Sequence, residues 1–222
     1  MSGWRRRQRA QVCSACMLAA ACAGPPVADW QLNSKAAIDR SVAAYLSGDN
    51  ALATRELELA RSEIARTGRA DLLARIELIG CAARAASLQF ETCEGFEKLR
   101  PQTGAAERAY ADFLAARLRP QDLDLLPRSQ RAAASARPDA AAAALQAIED
   151  PFSRLVAAAV LFESGRANPA AISLAVDTAS AQGWRRPLLA WLNVQALRAE
   201  KAGAIDEAEQ LRRRISLLQD SN

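Results

Sequence analysis

From Ser34 onward, apolar residues recur three and four positions apart, the spacing of one face of a helix, and short breaks interrupt them. Ser34 stands where an N-cap opens a first helix carrying Ile38, Val42, Ala43 and Leu46, and Ser47-Gly48-Asp49-Asn50 closes it with turn-forming residues. A second helix carries Leu52, Leu57, Leu59, Ala60 and Ile64 and ends at Thr67-Gly68. A third covers residues 70–88 with Leu72, Leu73, Ile76 and Ile79 on its apolar side; a fourth covers 91–99 and stops before Pro101. The middle is less regular. Residues 105–118 read as a helix with Tyr110 and Phe113, Pro120 and Pro127 bracket a turn-like piece, and Asp139 stands as a cap for an alanine-rich helix ending at Leu145. Helical periodicity then returns over 152–164, from Pro169 to Gly183, from Pro187 to Gly203, and over 205–218. No segment alternates as a strand does, so the pattern predicts an all-α chain of antiparallel helical hairpins.

Composition supports this reading. Half of the chain is apolar, enough for a core, and the dominance of Ala, Leu and Arg favours helix. The net charge of +4 points first to an acidic partner, but four of the 29 basic residues (Arg5, Arg6, Arg7, Arg9) precede Cys22 with no acid among them. The remaining 25 are balanced by 25 acids, so the body has no overall attraction to phosphate and no nucleic-acid partner is expected. Histidine is absent, which removes the commonest general base and the commonest metal ligand.

The four arginines are followed by an uncharged stretch over 12–21 and by small residues, the pattern of a secretory signal. That stretch is shorter than the roughly 20 residues needed to span a bilayer. Leu18-Ala19-Ala20-Ala21-Cys22-Ala23-Gly24 resembles a bacterial lipobox, although Ala19 occupies the position three before the cysteine where that family prefers Leu. The resemblance implies removal of residues 1–21, lipidation (palmitate included) of Cys22, and, because Ala23 and not Asp follows, delivery to the outer membrane facing the periplasm. Residues 22–33, with Pro25 and Pro26, then form a lipidated tether to the folded part.

Loss of Cys13 and Cys16 with the leader and lipidation of Cys22 leave Cys81 and Cys93. In an oxidising compartment such a pair forms a disulfide across a bend near Ser87; the alternative is two buried thiols acting as small hydrophobes.

Helices joined by glycine turns also resemble degenerate tetratricopeptide repeats. With Gly48-Asp49 at the turn inside a repeat, Ala53, Leu57 and Ala60 occupy that family's small-large-small positions. Around Gly203, Ala208 fits but Arg212 does not; around Gly165, Ala170 and Leu174 fit but Asp177 does not. This resemblance implies a solenoid-like stack of hairpins, in which 34–119 and 139–222 form two helical regions and 120–138 a proline-containing connector.

Several residues are candidates for chemistry or recognition. Glu56 and Glu58 point to different sides of a helix, whereas Glu91, Glu94 and Glu97 share one face as a solvated acidic row. Arg212-Arg213-Arg214 lies near a helix C-terminus, where cations complement the dipole. Trp184, Arg185, Arg186 and Trp191 bring two large rings and two cations to one inter-helix junction, residue types enriched at binding hot spots, although both rings equally suit a core. No phosphate loop, zinc-spaced cysteines or nucleophile elbow occurs, so no cofactor, metal or catalytic residue is expected. Three readings follow: a lipid-anchored, non-catalytic envelope scaffold binding a protein or peptide; a cytoplasmic helical adaptor retaining its basic N-terminus; and an envelope hydrolase working with carboxylates alone.

Overall fold

The computed structural model describes residues 28–220, which are helical with no strand among them. Cys22 and the rest of the leader and tether up to residue 27 lie outside the described residues. The eleven α-helices among the described residues are α1 (Asp29–Ser47), α2 (Asn50–Ala65), α3 (Ala70–Ala86), α4 (Glu94–Leu99), α5 (Ala105–Leu114), α6 (Arg128–Ser135), α7 (Ala141–Gln146), α8 (Pro151–Glu163), α9 (Pro169–Ala181), α10 (Arg185–Lys201) and α11 (Ile205–Asp220).

The breaks in the hydrophobic pattern become reversals by simple local chemistry. Gly48 adopts φ +105°, a left-handed conformation open to glycine, and its N–H reaches back to the carbonyls of Ala44 and Tyr45. One residue later the Asp49 carboxylate accepts from Leu52 N–H at 2.9 Å and starts α2. α8 and α9 begin by a shared device: Asp150 and Asn168 cap the first turn, and Pro151 and Pro169 occupy a helical position whose N–H needs no partner.

Alanine sets how closely these helices approach. Ala53 and Ala60 are buried against α1, close enough for Ser41 Oγ to donate to Ala53 O at 2.8 Å across the helix pair. A small cluster of Ala37, Ala60, Ile64 and Ile76 closes the outer end of α1–α3. The main core runs without a break from Leu46 through Phe96, Phe113 and Leu155 to Ile215.

Several boundaries differ from the expected ones. α1 opens at Asp29, and Ser34 is buried within it instead of capping it, because Trp30 lies in the first turn and packs on the small cluster. The expected tether is therefore helical from residue 29. α4 begins at Glu94, since Leu88 takes φ +59° and residues 88–93 form a loop; Glu91 thus does not share a helix face with Glu94 and Glu97. α5 stops at Leu114, where Ala116 turns the chain with φ +54°. Residues 120–138 hold one short 3-10 turn, Pro120–Leu125, and α6, whose Ala133 is in the main core.

The hairpins also do not stack in simple series. In a solenoid each unit touches its chain neighbours alone. Here α3 packs on α8 across the whole middle of the chain, and α10 packs on α1. Helices are expected and found; the packing joins the two ends of the chain.

Candidate binding groove

α1, α2 and α3 leave an open groove of ≈ 180 Å³ between them. α1 contributes Ile38, Ser41, Val42 and Tyr45, which the helical repeat places on one face. Ala53, Thr54 and Leu57 come from α2, and Ile79, Gly80, Ala83 and Arg84 from α3. The floor is apolar because Ser41 has already donated its hydroxyl to Ala53 O. The polar end consists of Tyr45, Asn50 and Arg84.

Gly80 is internal to α3, where glycine costs roughly 0.5–1 kcal/mol relative to alanine. A Cβ built there meets nothing closer than Leu57 Cδ2 at 3.6 Å and Arg84 Nη1 at 3.9 Å, which is ordinary contact. Packing therefore does not demand glycine at this position. Its effect is to leave the groove floor open.

At the polar end the Tyr45 hydroxyl donates to Gln89 Oε1 at 2.5 Å. Burial raises the Tyr45 pKa above 10.0 and outweighs the opposing pull of Arg186 and Arg84, so the ring stays neutral. The Arg186 guanidinium lies 4.2 Å from the centre of that ring, donates from Nε to Tyr45 O at 2.7 Å and from Nη2 to Asn50 Oδ1 at 2.5 Å. Arg84 Nη2 is 2.9 Å from Cys81 Sγ.

A second cleft of ≈ 220 Å³ lies beyond that sulfur, between the 88–93 loop, α5 and Glu163 of α8. Cys81 and Cys93, joined as a disulfide with Cα atoms 5.9 Å apart, form part of its wall. Glu91, Glu97 and Glu163 face it together with Arg117. Arg100 binds Glu97 through two hydrogen bonds of 2.6 and 2.9 Å, which lower the Glu97 pKa and hold it as a carboxylate. Glu97 is thus arranged as an ion-pair partner and not as the proton donor that carboxylate hydrolysis requires.

Against family models, curated proteins and solved structures, the chain finds no match. The site therefore stands on its geometry.

The four residues singled out at the α9–α10 junction divide into different roles. Trp191 is a correction: it is fully buried, donates from Nε1 to Ala86 O at 3.2 Å and packs edge-on against Phe162 at 5.6 Å, leaving no surface for a partner. Trp184 is half-buried against the same core. Arg185 donates to Leu218 O at 2.9 Å, tying α10 to α11. Arg186 alone of the four borders the groove.

Several of the other charged candidates form surface pairs. Glu56 holds Arg40 at 2.8 Å, Glu58 holds Arg61 at 2.9 Å, and Arg212 holds Glu200 at 2.6 Å. The sequence pattern does not single out Gly80, Arg84 and Tyr45. An internal glycine in an otherwise strong helix was the available signal.

Proposed function

We propose that this protein is an exported, lipid-anchored component of the bacterial envelope that acts by binding a protein or peptide and not by catalysis. The groove across α1–α3 carries the binding part of this reading: an open apolar floor with a cationic end suits recognition. The compartment rests on the basic leader, the lipobox-like residues before Cys22 and the Cys81–Cys93 pair, a bond that persists in oxidising surroundings. Three acyl chains on Cys22 hold the chain to the outer membrane, with the groove facing the periplasm. No helix among the described residues is long and apolar enough to cross a membrane.

Intact mass measurement of the native protein, extracted from membranes and run with and without reductant, tests this. The expected species starts at acylated Cys22 and gains two hydrogen atoms when the added reductant converts the disulfide to two thiols. A full-length, unmodified chain with free thiols overturns the envelope reading and leaves a cytoplasmic helical adaptor.

A further inference from the structure

We infer that the α1–α3 groove binds a short acidic peptide segment, inserting one or two aliphatic side chains between Leu57 and Ile79 and bringing a carboxylate to Arg84 and Arg186. This deepens the binding reading above and rests on it.

The charge arrangement identifies the ligand. Between residues 29 and 87 there are seven arginines. Five of them (Arg40, Arg61, Arg66, Arg69 and Arg75) hold carboxylates. Arg55, fully outside the groove, and Arg84, at its end, do not. Arg186 reaches this same end from α10, and its partners among the described residues are a carbonyl, an amide oxygen and a ring, all neutral. Among the described residues no acid lines the groove. The Asp49 carboxylate beside it accepts from Leu52 N–H, and Glu91 faces the neighbouring cleft. The Glu91 charge reaches Tyr45 from that cleft, but among the described residues no carboxylate forms an ion pair with either guanidinium, and an incoming carboxylate supplies one.

Size and openness select a peptide over a free amphiphile. Sites that engulf small molecules have volumes of about 300–1,000 Å³. At ≈ 180 Å³ this groove is too small to enclose such a ligand. An alkyl chain laid in it keeps its outer side in water, whereas an amphipathic peptide presents its polar face there. Gly80 fits this use, because any larger residue projects toward Leu57 and Arg84, across the path of the inserted side chain.

The test is selection of a phage-displayed random dodecapeptide library on the full chain, in parallel with Gly80→Leu and Arg84→Glu variants checked for native helicity and cooperative melting. Selected peptides are expected to combine Leu, Ile or Val with Asp or Glu, and to bind each variant about tenfold more weakly or worse. Arg84→Glu is expected to shift selection toward Lys and Arg. Two results overturn the inference: selection without acidic and aliphatic enrichment, or enrichment unchanged by both variants. Saturable, Gly80-dependent binding of decanoate with no selected peptide also overturns it, in favour of an anionic amphiphile. Since the purified chain is used in solution, failure of the anchor appears in the mass measurement and failure of the groove in the selection.

Discussion

Arg186 Nε donates to the backbone carbonyl of Tyr45 at 2.7 Å, a hydrogen bond that joins residues 141 positions apart. The same guanidinium covers the Tyr45 ring at 4.2 Å and binds Asn50. A single side chain thus fastens α10 onto the α1–α2 turn and shapes the end of the groove.

Replacing Arg186 by Ala is expected to lower the unfolding free energy by about 2 kcal/mol, the sum of a charge-assisted hydrogen bond and a cation–π contact. Arg186→Lys restores less than half of this, because an ammonium does not stack and donate in one plane as the guanidinium does. Urea titration of the three proteins measures both effects.

Trp191 is expected to emit at short wavelength and resist acrylamide, in contrast to half-buried Trp184 and Trp30. Trp191→Ala is expected to cost about 3–5 kcal/mol through the cavity it leaves. Trp191→Phe keeps most of the ring but removes the donor for Ala86 O, at a cost of about 1–3 kcal/mol. Chemical denaturation of single-tryptophan variants separates the two.

Reducing the Cys81–Cys93 bond is expected to lower stability by about 3 kcal/mol, since it frees a loop with a sequence separation of 12 in the unfolded chain. The Cys81→Ser/Cys93→Ser double variant should match the reduced protein in urea titration. Equal midpoints for oxidised and reduced protein would remove any stabilising role for the bridge.

Asp71, in the first turn of α3, has its pKa lowered from 3.8 to about 2, chiefly by hydrogen bonds from Arg69. A depressed folded-state pKa makes its contribution to stability present above about pH 4 and lost as the pH falls toward 2. NMR titration of the Asp71 carboxyl is expected to find its midpoint near 2 and to see it rise in Arg69→Ala. A midpoint unmoved by that substitution would remove Arg69 as the cause.

Most of the long helices and their turns were legible because each turn rests on a few adjacent residues, Gly48 followed by Asp49, Asp150 before Pro151, Asn168 before Pro169, whereas α6 was not foreseen. Ser34 and Glu91 misled because local signals lost to packing. Trp30 extends α1 backward, and the disulfide-bearing loop keeps Glu91 out of α4. In the Gly165 hairpin the buried alanine is Ala171, one position beyond the expected Ala170, a shift set by the Asn168 cap. Trp191 and Arg186 are five residues apart on one helix yet serve core and groove, a difference fixed by neighbours more than 100 positions away. Spacing along the chain carries no information about such partners, so the groove became visible only in three dimensions.

The clasp between Arg186 and Tyr45 also sets an order of assembly during synthesis. Helices α1–α3 are made early, but the cation that completes their groove is added about 100 residues after Arg84. A nascent chain halted anywhere before α10 has the apolar floor and Arg84 without the second guanidinium. For the acidic peptide proposed above, full affinity is thus expected of the finished molecule and not of fragments that end before α10.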